Sequence, residues 1–254
     1  MGRSPMTELL YGKNPILEAL RAGRRKFHRF FHLNTAKSDP QLEEALENFA
    51  RLGVRCSAVG RDWFEGRLPG ILAQGWAVEA GEYPYVELEA LLPKLLEKKT
   101  ALLLALDQIQ DPQNLGAILR SAEGCGADGV LICTDRATHV TPAVCKASAG
   151  ASEHLRVAKV VNLARAIEAC KEAGFWSVGT SLEAKEDALA FDWPAKTLLV
   201  LGSEGKGMRR LIHEKCDFLI RLPLLGKISS LNVAATAAVC LYENLKSRSK
   251  SGRE

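Results

Sequence analysis

The sequence predicts an α/β protein in two parts: a small N-terminal α/β module and a larger C-terminal half built on a mainly parallel sheet. Three observations lead there. A chain of 254 residues that is 47% apolar exceeds one small domain and has enough apolar surface for two cores. From residue 101 onward, continuous apolar runs of strand length alternate with amphipathic segments of helix length, the pattern of a parallel sheet covered on both faces. Residues 8 to about 80 instead alternate shorter elements of both kinds.

In chain order, KNPILEALRAG reads as a helix, FHRFFHL as a strand, PQLEEALENFARLG as a helix and VRCSAVG as a strand. This places the N-terminal module at residues 6–82. EYPYVELEALLPKLLEKKT reads as a linker turning into a short helix, which gives a connecting segment at 83–100. The C-terminal domain then spans 101–250. Its strands are ALLLALD, DGVLICT, RVAKVV, FWSVGTS, TLLVLGS and FLIRLPL. Its helices are NLGAILRSAEGCG, PAVCKASAGASEHL, NLARAIEACKEAG, MRRLIHEKCD and SLNVAATAAVCLYENLKSR. No internal repeat or low-complexity segment interrupts the pattern, and only the tail KSRSKSGRE is expected to fray. Met6 is a second candidate start, so residues 1–5 carry no weight.

The net charge of +4 permits a polyanionic partner without requiring one. The seven cysteines form no C-x-x-C pair and have no histidine at zinc spacing; they read as buried thiols of a reducing, cytoplasmic compartment, with no metal site. The N-terminus lacks an apolar core of signal-peptide type, and no apolar run is long enough to cross a bilayer. Between the first helix and the first strand, Arg21, Arg24, Arg25, Lys26 and Arg29 lie beside Phe27, Phe30 and Phe31. Cations interleaved with aromatics suit RNA, which makes Arg24, Arg25 and Arg29 candidate RNA contacts. A solvated charged face is the other reading, and alternation sends some of the phenylalanines into the core.

Three stretches stand apart. In DQIQDPQNLGAILR, residues 107–120, Asp111-Pro112 makes a turn, Asn114 is placed to cap a helix beginning at Leu115, and Arg120 falls in its second turn. LLVLGSEGKGM, residues 198–208, empties a buried strand into glycines 202, 205 and 207. Met208 and Arg209 stand where a P-loop needs Lys and Ser/Thr, and the glycines come too late in the domain for a dinucleotide fingerprint. A nucleotide-dependent oxidoreductase is therefore disfavoured. In LPLLGKISSLN, residues 222–232, Pro223 and Gly226 fix a bend before Ser229, Ser230 and a cap-like Asn232.

Together, in this order and spacing over residues 102–246, the three stretches resemble the motifs of the SpoU branch of the SPOUT RNA methyltransferases. YGKNPILEAL resembles the opening of the ribosomal-protein-like RNA-binding domain carried by bacterial 23S rRNA (guanosine-2′-O)-methyltransferases. The resemblance implies a trefoil knot in the C-terminal domain and S-adenosylmethionine as cofactor. It places Gly202, Leu222 and Leu231 against that cofactor with Ser230 and Asn232 beside them, and Thr180, Leu201, Glu204, Gly205 and Gly207 complete the expected binding set. Glycines there would let the backbone approach a flat adenine. Family members commonly have Ile at 222 and often Ser at 234; Leu222 and Ala234 depart from that pattern.

The resemblance also assigns chemistry. Arg120, Asn114, Glu204, Ser230 and Asn232 become the candidate catalytic residues for methyl transfer to a ribose 2′-hydroxyl. A guanidinium stays protonated, so Arg120 is expected to clamp the ribose phosphate and the developing alkoxide and not to act as a base. The implied assembly is a homodimer with sites completed across its interface. The implied substrate is a guanosine of 23S rRNA, because tRNA-modifying relatives generally lack the N-terminal domain. The alternatives are methylation of tRNA or of another rRNA position, and a catalytically inactive RNA-binding protein of the same fold.

Overall fold

The computed structural model describes residues 7–34, 39–205 and 207–251; Met6 with the five residues before it, residues 35–38, Lys206 of the glycine loop and the last three residues of the tail lie outside the described residues. The chain opens with β1 (Thr7–Tyr11), α1 (Lys13–Ala22), β2 (Phe27–Leu33), α2 (Pro40–Arg51), β3 (Arg55–Val59), α3 (Arg61–Arg67) and β4 (Trp76–Gly81). It continues through α4 (Leu88–Leu91), α5 (Pro93–Leu96), β5 (Ala101–Leu106), α6 (Pro112–Gly124), β6 (Gly129–Cys133) and α7 (Pro142–Ala147). After β7 (Val157–Val160) come α8 (Leu163–Glu172), β8 (Trp176–Thr180), β9 (Glu186–Asp187) and β10 (Lys196–Leu201). The last elements are α9 (Arg210–Lys215), β11 (Phe218–Arg221) and α10 (Val233–Ser251).

Contacts divide the chain into two units. The first joins the residues up to Pro84 to Val140–His154; the second holds Tyr85–His139 and Leu155–Glu254. Sheet order in the first unit is β1-β4-β2-β3, antiparallel except for the β2/β3 pair. Adjacent Phe30 and Phe31 are both buried because elements cover both faces of this sheet. Phe30 stacks on Phe49 of α2 at 4.6 Å between ring centroids, and Phe31 stacks on Trp63 of α3 at 4.2 Å. Strands β1 and β4 and helix α3 were not among the elements expected from periodicity.

Three arginines of the basic cluster make contacts within this unit, while Arg21 and Lys26 are exposed. Arg25, expected as an RNA contact, has a fully buried side chain that grips the buried Glu153 through Nε and Nη2, both at 2.9 Å, and reaches Glu8 at 2.8 Å. That corrects its role: a buried guanidinium held by two carboxylates is a fold element. Arg24 donates to the carbonyls of Glu153 and Pro84, and Arg29 donates to Ser57 Oγ while lying 4.9 Å from the Phe31 ring centroid.

The stretch PAVCKASAGASEHL, expected as one helix, breaks after α7 at Ala149 and Gly150, with φ of 53° and 89°, and resumes as a single 3-10 turn, Ala151–Glu153. Gly150 also packs tightly against α1: a Cβ there would sit 2.7 Å from Glu18 Cβ. The break lets Glu153 reach Arg25.

In the second unit the sheet order is β7-β6-β5-β10-β8-β11-β9, and every pairing is parallel, as the continuous apolar runs predict. Leu103, Ala105, Leu198 and Val200 join a core cluster with Leu163, Ile167 and Cys170 of α8. The alternate positions, Leu102, Leu104 and Leu199, are equally buried. Asn244 of α10 donates to Thr197 Oγ1 of β10, and Arg248 donates to the Cys125 carbonyl at the end of α6. These bonds bring α10 to the sheet and to α6. The segment expected as a linker packs here too, with Leu88, Leu91 and Leu95 in the core and Val86 bridged to Ala158. Helix α10 continues through Ser251, beyond the point where fraying was expected.

Removing one partner of a buried ion pair strands the other charge. Glu153→Ala should therefore destabilise the protein by about 3–5 kcal/mol in denaturant unfolding. A loss under about 1 kcal/mol would mean that Arg25 finds other partners.

Candidate active site

Parallel strands send the segments that follow them to one edge of the sheet, and three of those segments enclose a cleft of about 670 Å³. They follow β8, β10 and β11. Of the expected cofactor residues, Thr180, Gly202, Glu204, Gly205, Gly207, Leu222, Ser230, Leu231 and Asn232 line the cleft. Leu201 does not: it is fully buried within β10, in the core behind the loop. Ser181, Leu182 and Glu183 also line the cleft and were not anticipated. No motif marks them, and only the parallel placement of β8 beside β10 signals that the segment after β8 opens at the same edge.

The glycine loop is a closed miniature hairpin. Ser203 N–H donates to the Gly207 carbonyl at 3.0 Å, and Gly207 N–H returns a bond to the Ser203 carbonyl at 2.9 Å. Gly205 and Gly207 take φ of 76° and 65°, a region L-residues avoid. Gly202 is required for a different reason: a Cβ there would lie 2.1 Å from Gly207 C and Met208 N. Its smallness serves the loop's own return while the residue also lines the cleft, so a substitution at 202 would distort the hairpin as well as the cleft wall.

Glu204 at the loop tip meets two amides. Asn114 Nδ2 donates to Glu204 Oε1 at 2.7 Å, Asn232 Nδ2 donates to the same oxygen at 2.5 Å, and Asn232 Nδ2 also reaches Asn114 Oδ1 at 2.9 Å. Three of the expected catalytic residues thus form a hydrogen-bonded triangle. Asn232 Oδ1 accepts from the Ala234 N–H at 2.8 Å, so the residue caps α10, as expected, while its amide nitrogen faces the triangle. The cap role expected of Asn114 falls instead to Asp111, whose side chain accepts from the Gln113 N–H; the helix begins at Pro112, and Asn114 is buried in its first turn. Proline at the first helical position explains the earlier start.

The earlier start also moves Arg120 to the third turn, roughly 12 Å along the axis from Pro112 and about 120° around it from Asn114. Arg120 is exposed and is not among the residues lining the cleft. Ser230 lines the cleft at an exposed position beside Leu231.

Comparison with known proteins settles what kind of chain carries this geometry. The model of the SpoU rRNA Methylase family matches residues 101–242, and a model described as RNA 2′-O ribose methyltransferase substrate binding matches residues 9–86. The chain belongs to the SpoU rRNA methylase family. It is 40% identical over 98% of its length, and 99% of the relative's, to YacO of Bacillus subtilis, named as a TrmH family tRNA/rRNA methyltransferase. It is 38% identical to the 23S rRNA (guanosine-2′-O-)-methyltransferase RlmB of Pseudomonas syringae, over 95% of this chain and 96% of that one. Among solved structures, the SpoU methyltransferase AviRb of Streptomyces viridochromogenes in complex with AdoMet aligns with a TM-score of 0.79 and 26% identity, over 95% of this chain and 90% of that one.

Among the described residues of the SpoU domain, the thiols near this edge of the sheet are not activated. Burial pushes Cys216, which packs near Gly179 and Met208, up to about 12, and raises Cys133 as well. Both are therefore thiols at neutral pH and poor nucleophiles. Among the described residues no group of three or more His, Cys, Asp or Glu side chains is arranged to hold a metal ion.

Asn232→Asp tests the triangle. The new carboxylate keeps the helix cap but sets a second charge against Glu204, which raises the carboxyl pKa of the pair in the folded state. The folded state then binds the extra proton, so the variant should be less stable than wild type by about 1–2 kcal/mol at pH 8. The deficit should shrink as pH falls through about 5. Equal stability across that range in denaturant titrations would show that the two side chains do not meet in solution.

Proposed function

We propose that this protein transfers the methyl group of S-adenosylmethionine to a ribose 2′-hydroxyl of RNA, at a guanosine of 23S rRNA. The observation that carries the reading is the convergence of nine expected cofactor residues on one cleft. The names of the relatives and the AdoMet-bound neighbour support it independently. The cleft suits such a molecule: Leu222, Leu224, Leu231 and Ile220 offer apolar surface to a flat base, while Thr180, Ser181 and Ser230 offer polar groups beside it. S-adenosylmethionine supplies, when bound, a methyl already activated by its sulfonium.

The residues of the chain do the aligning. The 2′-oxygen attacks the methyl carbon, the carbon–sulfur bond breaks, and the hydroxyl proton leaves to a base or water. Glu204, fixed by two amides, holds the loop tip beside the cleft instead of swinging free. Arg120 stabilises the ribose phosphate and the developing alkoxide, and it does so in the cleft of a second copy of the chain, since it does not line its own. The reading therefore includes a homodimer with shared sites, together with the trefoil knot and a cytoplasmic location. Helix α10 presents an exposed Tyr242 and Val239 to such a partner. No helix among the described residues is long and apolar enough to cross a membrane.

Labelled methyl transfer to 23S rRNA, with the modified nucleotide mapped, tests the proposal. Arg120→Ala should lower single-turnover transfer by about 100-fold or more with cofactor affinity little changed. Arg120→Lys should recover little of it, because an ammonium lacks the two-pronged geometry. Mixing Arg120→Ala with a cleft-blocking Leu222→Trp chain should restore activity if sites are shared. Near-wild-type transfer by Arg120→Ala would overturn its assignment.

A further inference from the structure

Asp107 has no place in the chemistry described above. It directly follows β5, is fully buried, and is not among the residues lining the cleft. Its backbone N–H donates to the Leu201 carbonyl at 2.8 Å. Its carboxylate accepts from the Arg209 N–H at 2.8 Å, from Arg209 Nε at 2.8 Å and from Arg209 Nη2 at 2.7 Å. Leu201 and Arg209 are the residues that flank the loop of 202–208. One buried residue therefore holds the entry of the loop through its backbone and the exit through its side chain.

The charge makes the hold strong. A carboxylate removed from water needs a counter-charge and hydrogen bonds, and here the loop exit supplies both. Opening the exit would leave Asp107 buried and unpaired, so loop opening is penalised by the very group that closes it. Within the closed loop Gly202 lies against Gly207 and Met208 with no room for a methyl group, so a small shift at Arg209 passes directly to the cleft wall.

We propose that Asp107 is a positioning residue for the cofactor, acting through Arg209 to set the shape of the 202–208 loop. The inference rests on reading the cleft as the S-adenosylmethionine site. It predicts an effect on ligand affinity from a residue that touches no ligand. Asp107→Asn keeps an acceptor for the Arg209 N–H but loses the charge. Arg209→Gln works from the outer side, where the arginine side chain is 47% exposed, and spares the interior. Arg209→Lys keeps the cation while losing the two-pronged contact.

Calorimetric titration of the full chain with S-adenosylhomocysteine, alongside cofactor-dependent methyl-transfer rates, is the test. Asp107→Asn and Arg209→Gln should each weaken binding at least tenfold, with Arg209→Lys in between. The KM for S-adenosylmethionine should rise in parallel while the rate at saturating cofactor falls less than twofold, a split that a general loss of folded protein would not produce. If wild type binds S-adenosylhomocysteine and folded Arg209→Gln binds it equally well, the clamp is wrong and the cofactor site stands. If wild type itself does not bind, the reading of the cleft fails, and the clamp fails with it.

Discussion

Parallel pairing throughout the seven-stranded sheet is the constraint on which the rest of the structure depends. It forces both faces of every central strand to be buried, so β5 reads ALLLAL and β10 ends LLVL, with no polar alternation. It also fixes direction. The segments after β8, β10 and β11 must emerge at one edge, and the cleft is what they enclose. A binding site built this way needs no residue in the interior of the sheet to change, only the three segments at its rim.

At that rim, short-range geometry replaces bulk burial as the controlling force. The glycine loop returns on itself within a few residues, held by two backbone hydrogen bonds across Ser203 and Gly207. Its tip carboxylate is tied to α6 through Asn114 and to the start of α10 through Asn232, so one side-chain triangle connects a loop and two helices. Each member satisfies part of another's hydrogen-bonding capacity, which favours a single arrangement over a mobile one. Asp107 holds the same loop from beneath.

Much of this was legible in the sequence, for physical reasons that differ by residue. Continuous apolar runs of strand length between amphipathic helical segments mark buried parallel strands, so the central strands β5, β6 and β10 are legible, while the two-residue β9 leaves no period to detect. The N-terminal sheet was less legible because β1 and β4 pair across nearly the whole module. The residues alone read Asn114 as a cap, because Asp111 and Asn114 are both capping types and only the proline between them decides which one caps; its catalytic reading comes from the resemblance alone. Arg24, Arg25 and Arg29 look alike in a charge run. What sets Arg25 apart as a buried ion pair is Glu153, 128 residues away, while Arg29 remains partly buried against Ser57 and Phe31. At Gly202 the sequence signals a close approach, and in the fold the glycine makes room for the chain itself while also lining the cleft.

The central claim is that the rim cleft is the cofactor site. Backbone hydrogen exchange on the full chain, with and without S-adenosylhomocysteine, tests it most directly. The account predicts added protection concentrated at residues 180–183, 202–208 and 222–232. Protection confined to the N-terminal unit, or none at saturating ligand, would contradict it.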